Sequence, residues 1–478
     1  MTTAVGFRSE RGPILVSLMV TTGLVAIDAT VLATAVPTIV KDLGDFALFP
    51  WLFSVYLLAQ AVTVPIYAKL SDTFGRKPVI LVGIGLFLLG SILCGFAWSM
   101  PALILFRAVQ GLGAGAVQPM SITIAGDIYT IAERAKVQGY LASVWAVSSV
   151  VGPTLGGLFS QFDIWRGIFF VNIPLCLLSG WMLIRSFHED IEKREHKIDF
   201  VGAGLLTVSM TLIILAVLQG GVTWAWDSWQ SIGSFAVGAV LLAAFVFVQT
   251  RAAEPVLPLW VFSRRLLVTT TFVALGMGAM LIGLTSYVPT YLEGSLDVPP
   301  LAAGLALAAL TIGWPISATF AGRSYLRIGF KRTALIGIAG VLVGTSVLAA
   351  TASVPSIATV AVACFIIGLG MGFVATPTLI AAQSSVEWNE RGVVTGTNMF
   401  ARSIGSAVGV AVFGALANAV FGPGDESTLA PAVIASGAGV VFLSVAVVAV
   451  ATAAAGLAMP ATPVAKAPTG PIEVPEPA

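Results

Sequence analysis

The feature that most restricts this chain is its succession of apolar runs, many about twenty residues long, separated by short charged or Pro/Gly-bearing breaks. A run of that length crosses the roughly 30 Å hydrocarbon core of a bilayer as one helix. A membrane β-barrel would instead alternate polar and apolar residues over about ten positions, and the runs here are uninterrupted. Of 478 residues, 57% are hydrophobic and 10% are charged, against roughly 25% charged in soluble domains. A soluble fold of this size would need far more polar surface to cover its core.

Several function classes fall away on composition. The net charge of +1 gives no basic field for nucleic acid. Cys94, Cys176 and Cys364 lie inside apolar runs and show neither a disulfide framework nor CxxC metal spacing. The two histidines, His188 and His196, share one charged loop, so no metal site is expected. There is no G-x4-G-K-[ST] phosphate loop and no nucleophile elbow, which argues against an ATP-driven pump and against an enzyme. No cofactor is expected. Arg8 and Arg11 precede an apolar stretch too long for a secretory signal, so that stretch reads as the first span.

Hydropathy predicts fourteen spans, at about 14–36, 50–68, 79–98, 101–124, 138–160, 167–186, 198–220, 231–250, 266–291, 300–321, 333–352, 355–378, 392–420 and 431–457. An even number puts both termini on one side. With that side cytoplasmic, all but four of the 24 Lys and Arg fall in inner segments, the exceptions being Lys41, Arg107, Arg166 and Arg402. The implied division is a cytoplasmic N-terminus (1–13), an N-terminal six-helix bundle (14–186), a linker with two extra transmembrane helices (187–265), a C-terminal six-helix bundle (266–457) and a disordered Pro-rich cytoplasmic tail (458–478). The Trp224–Trp229 loop is a candidate interfacial anchor, and residues 188–197 read as a solvated charged linker.

The bundles repeat one another. Gly111-Leu-Gly-Ala-Gly115 returns as Gly368-Leu-Gly-Met-Gly372, at an offset of 257 that also carries Glu133-Arg134 to Glu390-Arg391 and Gly139 to Gly396. At an offset of 254, Ala68, Gly75 and Lys77 become Gly322, Gly329 and Lys331. Glycine is common in membrane helices, but a Glu-Arg pair returning on register is not explained by composition. Spans 1–6 thus correspond to spans 9–14, with two inserted between. A repeat of even span number keeps its orientation, giving parallel halves able to rock about a central site.

The loop after span 2 reads Ala68-Lys-Leu-Ser-Asp72-Thr-Phe-Gly75-Arg76-Lys77. It resembles the G-x-L-x-D-R-x-G-R-[RK] signature of the major facilitator superfamily, with Ala68 and Thr73 as departures. Arg107 and Gln110-Gly111 resemble that family's R-x-x-Q-G motif. Gly139, Ser148, Gly152, Pro153, Gly156 and Gly157 resemble its antiporter motif, with Ser148 in place of a glycine. Asp28-Ala-Thr30-Val31 with Pro37, the segment Trp165–Pro174, and Trp51, Tyr56 and Pro65 are similar to the fourteen-span drug:proton antiporters. Asp72, Gly75, Arg76 and Lys77 are expected to form a conformational gate, Asp72 meeting a helix N-terminus or a basic partner and Arg76 an acid across the halves. The repeat of Asp72 is Leu326, so the second copy's latch is expected to be lost or altered. The small residues of span 5 read as a tight seal that Pro153 lets flex, or as ordinary close packing.

Ionisable residues at membrane depth are costly and are functional candidates by default. Here they are Asp28, Arg107, Arg402 and, near an outer end, Glu293. Asp28 stands ~21 Å from the inner boundary and Arg107 ~9 Å from the outer one, one depth in a core of about 30 Å. A pair or a shared polar cavity is expected, with Asp28 taking the proton and Arg107 modulating it. Substrate-cavity candidates are Gln60, Gln118, Trp145, Glu293, Trp314, Asn398 and Arg402.

The expected function is proton-coupled antiport exporting amphipathic drugs or toxic metabolites by alternating access. A proton-coupled uptake symporter and a lipid exporter of the same superfamily are the alternatives. Expected partners are small amphipathic substrates, protons and the lipid bilayer, with no nucleic acid. The protein is expected to act as a monomer in the cell's inner (plasma) membrane.

Overall fold

A bilayer offers no hydrogen-bond partners to exposed backbone, so a spanning chain of this composition must satisfy its amides within helices. A computed structural model describes residues 6–44, 48, 51–189, 199–220, 224–252, 254–421 and 430–461, and contains fourteen helices long and apolar enough to cross a membrane. They are α1 (Gly12–Leu43), α2 (Trp51–Phe74), α3 (Arg76–Gly95), α4 (Met100–Ile128), α5 (Ile131–Gln161), α6 (Asn172–Ser186, the longer part of the span Gly167–Ser186) and α7 (Phe200–Gln219). The rest are α8 (Trp229–Gln249), α9 (Arg265–Leu296), α10 (Pro300–Ile328), α11 (Phe330–Thr351), α12 (Ile357–Ser384), α13 (Arg391–Phe421) and α14 (Pro431–Ala458). Several run past the hydropathy boundaries. Thus α5 begins at Ile131, seven residues before the apolar run, because Thr130 and Glu133 form a reciprocal capping box that starts the helix among charged residues.

Among the described residues, each half has its own apolar core, made of two clusters in the first half and one large cluster in the second. The first core draws on residues 15–187, the second on residues 273–449. α7 and α8 pack on each other, and α7 leans on the seam where α2 meets α13, through Leu58, Val62, Leu206, Met210 and Phe400. The predicted linker segment from Asp190 to Ile198 and the tail from 462 onward lie outside the described residues.

The repeat is reproduced at the level of single contacts. Gly75 and Gly329, equivalent at the 254 offset, join α2 to α3 and α10 to α11 with φ values of 94° and 88°, which a side chain would resist. Within the glycine triplets a Cβ on Gly111 would crowd the Tyr56 carbonyl and one on Gly368 the Leu310 carbonyl. Gly113 faces the Gly83 carbonyl, and Gly370 faces that of Gly337. Gly115 and Gly372 abut the carbonyls of Gln60 and Trp314. Every one of these partners is related by the same 254-residue offset. In each half, then, the first and third glycines seat one helix and the middle glycine another, a close approach that only the smallest residues permit.

Gly113→Ala tests this packing, because its Cβ would overlap the Phe87 amide and stand 2.6 Å from the Gly83 carbonyl oxygen. It should destabilise the protein by about 1–3 kcal/mol. Gly85→Ala, where nothing lies within 4 Å, should leave the melting temperature of the detergent-solubilised protein unchanged.

Candidate functional site

The ionisable residues of the first core meet around one carboxylate. Asp28 on α1 is 1% exposed and pairs with Arg107 of α4 at 2.7 Å. Its second oxygen accepts from Gln110 Nε2 at 2.8 Å and from Asn172 Nδ2 at 3.3 Å. Ser91 Oγ on α3 accepts from both of those amides. Arg107 also donates to the Leu52 carbonyl and to Gln110 Oε1, and its guanidinium lies 4.2 Å from the centroid of the Tyr56 ring. Five helices, α1, α2, α3, α4 and α6, therefore converge on one buried ion pair. The depth estimate anticipated the pairing of Asp28 with Arg107, whereas Ser91 and the role of Asn172 and Gln110 as ligands of the carboxylate carried no advance signal. Asn172 Oδ1 is buried without a hydrogen-bond partner. Buried orphan acceptors are uncommon and call for an explanation.

A second polar cluster lies at the end of the helices that carries most of the basic residues. Asp72, the last acid of α2, accepts from the backbone amides of Gly392 and Val393 at 2.9 and 2.7 Å. It thus caps the N-terminus of α13, whose first amides would otherwise be unpaired and whose dipole favours a negative charge. Arg76 is fully buried and binds Asp72 and Asp127, both within the first half, at 3.0 Å each. The expectation that Arg76 finds its acid across the halves is corrected here. What it reaches across is the Trp388 carbonyl, at 2.5 Å, and the Trp388 ring, 3.7 Å away. The cross-half ion pair is made by Arg391, which meets Asp127 at 2.9 Å. Glu189, beyond α6, caps α3 through the amides of Arg76 and Lys77. Lys77 itself donates to the Ile184 carbonyl, and Gly75 makes the bend described above.

The second copy of this loop is built differently. Leu326 replaces the acid, and the neighbouring Tyr325, fully buried, donates instead to the Ile131 carbonyl at the start of α5. Because no cross-half acid is present there, α5 caps itself with Thr130 and Glu133. Among the described residues, the hydrogen bonds and ion pairs that join residues 12–186 to residues 265–458 all lie at this basic end. Small-residue contacts continue the closure, Gly139 against Thr319, Gly322 against Ala135 and Gly396 against Ala68. The structure is sealed at this end.

The remaining candidates separate into three groups. Gly152 and Gly156 pack on Thr30 and Thr34 of α1, inside the first half, with Thr30 donating to the Ser148 carbonyl and Thr34 to that of Pro153. Gly157 has no close neighbour. Gln60, Gln118, Trp145, Trp314 and Arg402 are partly exposed, Gln60 bonding Gln118 at 3.3 Å and Arg402 lying over Trp314 at 5.0 Å. Asn398 turns to the Thr270 carbonyl of α9, and Glu293 is half-buried three residues from the end of α9. At the end opposite the seal, Asp42 accepts from Arg166 at 2.6 Å and from the Trp165 indole at 3.0 Å. Those two donors hold its carboxyl below the usual range, so the small stability it contributes is present at neutral pH and lost as pH falls through the lowered value.

Removing the charge at Asp72 should loosen the seal. A hydrogen-bonded carboxylate at a helix N-terminus contributes up to about 2 kcal/mol, so Asp72→Asn should raise the rate at which a cysteine placed at Thr397, 4% exposed, reacts with a polar maleimide by about tenfold. An unchanged rate would assign the closure to packing alone.

Comparison with known proteins fits this architecture. The chain is 36% identical to Multidrug resistance protein 3 of Bacillus subtilis (strain 168) over 396 residues, 83% of this chain and 77% of that protein. It is 33% identical over 415 residues to Multidrug transporter protein MdtP of the same organism, 87% of this chain and 76% of that one. Among solved structures it superposes on the human organic anion transporter MFSD10 (TETRAN) with a TM-score of 0.65 at 15% identity, covering 94% of this chain and 99% of that one. A bacterial homologue of ferroportin in an outward-facing state gives 0.64 at 13% identity, covering 93% and 100%. These two are likenesses of fold. The sequence model of the Major Facilitator Superfamily matches residues 18–410, and the chain belongs to that family of membrane transporters.

Proposed function

We propose that this transporter exports amphipathic drugs or toxic metabolites in exchange for protons, with Asp28 as the proton-carrying group. The supporting observation is the Asp28 cluster. As a carboxylate Asp28 is matched by three donors, from Arg107, Gln110 and Asn172. As a carboxylic acid it would offer an O–H, and the unpartnered Asn172 Oδ1 is an acceptor beside it that an amide rotation would present. Both protonation states can thus be hydrogen-bonded, which a merely structural ion pair does not require. A buried pair is in any case a poor source of net stability.

Protonation would cancel the attraction that holds Arg107 to α1. Arg107 binds Leu52 and stacks on Tyr56, both on α2, and belongs itself to α4. These two helices carry the seal residues, Asp72 being ~24 Å along α2 from Tyr56 and Asp127 ~30 Å along α4 from Arg107. Neutralising one carboxylate therefore releases two rigid elements whose far ends hold the halves together. In the sealed conformation Asp28 is 1% exposed, so a proton reaches it only when the outward side admits water, and its uptake then frees the seal. With the basic end cytoplasmic, as the charge asymmetry implies, the sealed form is open outward or occluded, and its protonation is the step that returns the cavity to the cytoplasm.

The test uses proteoliposomes with an imposed proton gradient and a panel of lipophilic substrates. Wild-type protein should accumulate substrate only while the gradient stands, and in inverted rather than right-side-out vesicles. Asp28→Asn should lose gradient-driven accumulation by about 100-fold, close to the contribution of an essential acid–base group, while substrate still binds. Proton-driven transport equal to wild type would reject Asp28 as the carrier, and accumulation only in right-side-out vesicles would reject export.

A further inference from the structure

The offsets that relate the two halves bring the substrate-cavity candidates into register. The 257 offset takes Trp145 to Arg402, and the 254 offset takes Gln60 to Trp314. Each half thus carries one of these residues on its second helix and one on its fifth, at equivalent positions of the repeat. The two sites differ in charge. In the first half Gln60 is closed off by its hydrogen bond to Gln118 on α4. The equivalent of Gln118 is Ala375, so α12 offers Trp314 no polar partner. In its place a guanidinium from α13 lies over the indole.

Arg402 is held in place and its charge is not cancelled. One turn before it, Asn398 donates to the Thr270 carbonyl, and one turn after it Ser406 donates to that of Gly278. The Arg402 carbonyl itself packs against Gly278, where a Cβ would overlap it. α13 is thereby fixed to α9, and the Arg402 side chain extends toward α10 and Trp314. Among the described residues its guanidinium has no ion pair and no hydrogen bond. Helices α10 to α14 contain no Asp or Glu, and α9 contains only Glu293, roughly 22 Å along the helix from Gly278. The other arginine at membrane depth, Arg107, is neutralised by Asp28. A lone guanidinium at this depth is tolerable only where water or an anion reaches it, and Arg402 is partly exposed. An unpaired guanidinium there favours anions and opposes cations.

We infer that Arg402 and Trp314 form the substrate's charge-recognition site, and that the favoured substrates are amphipathic organic anions in which a carboxylate, sulfonate or phosphate is joined to an aromatic body. The guanidinium offers a bidentate fork to the acid group, and the indole beside it offers a face on which the ring can stack. The inference rests on the export reading of the same cavity and narrows its substrate class.

Three probes of one shape separate the contributions: a naphthyl carboxylate, its neutral carboxamide and the corresponding trimethylammonium compound. Equilibrium binding to the purified protein in nanodiscs should rank the carboxylate at least tenfold above the other two. Arg402→Gln should remove that preference, weakening carboxylate binding at least tenfold more than carboxamide binding. Arg402→Lys, which keeps the charge but loses the fork, should retain part of it and guards against misfolding as the cause. Trp314→Leu should weaken carboxylate and carboxamide alike. The inference is overturned if the ammonium compound binds best, if none of the probes binds, or if carboxylate preference survives in Arg402→Gln. Its fate is separable from that of proton-driven export. Gradient-driven efflux of the ammonium probe, indifferent to Arg402, would overturn the anion site and leave antiport standing. Arg402-dependent carboxylate binding without gradient-driven efflux of any probe would keep the site and overturn antiport.

Discussion

Asp28 is the point on which this structure turns. It is the only carboxylate buried at mid-membrane depth among the described residues, and it gathers donors from α4 and α6 while Arg107 reaches on to α2. A charge in that position must be paired, because an isolated carboxylate in hydrocarbon would cost far more than the protein's net stability. The pairing dictates where α1, α2, α4 and α6 sit relative to one another. In the proposed mechanism it is also the point at which a single proton acts on the first bundle.

The seal stands at the other end of the same helices. Asp72 ends α2 and Asp127 ends α4, and both reach the start of α13, one through backbone amides and the other through Arg391. Two rod-like elements thus join a titratable centre to an electrostatic clasp. The clasp is one-sided. In the second half an apolar leucine and a tyrosine stand where the first half has its acid and its serine, so charge regulates the α2–α13 contact while packing governs the α5–α10 contact. Under the proposed exchange with protons, this asymmetry within a repeated framework assigns the proton chemistry to the first half. On the inference drawn above, the unpaired Arg402 gives the second half the reading of the substrate.

Much of this was legible in the chain because a bilayer reduces folding to a nearly one-dimensional problem. Apolar runs long enough to span had to become helices, and the fourteen spans follow from hydropathy alone. Ionisable residues inside those runs are so few that Asp28, Arg107 and Arg402 stood out, and depth arithmetic brought the first two together. The glycine triplets identified the repeat because backbones approach that closely only at small residues. What hydropathy does not encode is the rotation of each helix about its axis. Hence Ser91, an unremarkable serine, and the inward turn of Asn398 toward α9 could not be read. The acids serving Arg76 were missed for a related reason. Asp127 and Glu189 lie near span ends, where charged residues are common and give no sign of their partners.

The link from proton to seal is the central claim, and distance measurements across the sealed end test it most directly. Spin labels on exposed Lys136 of α5 and Ser385 beyond α12 would report separation of the halves by electron paramagnetic resonance as pH is varied. The account predicts a wild-type distance distribution that shifts between two populations with pH, and one that stays fixed in Asp28→Asn. A variant that still shifts with pH as the wild type does would show that some other group senses the proton and that Asp28 only holds helices together.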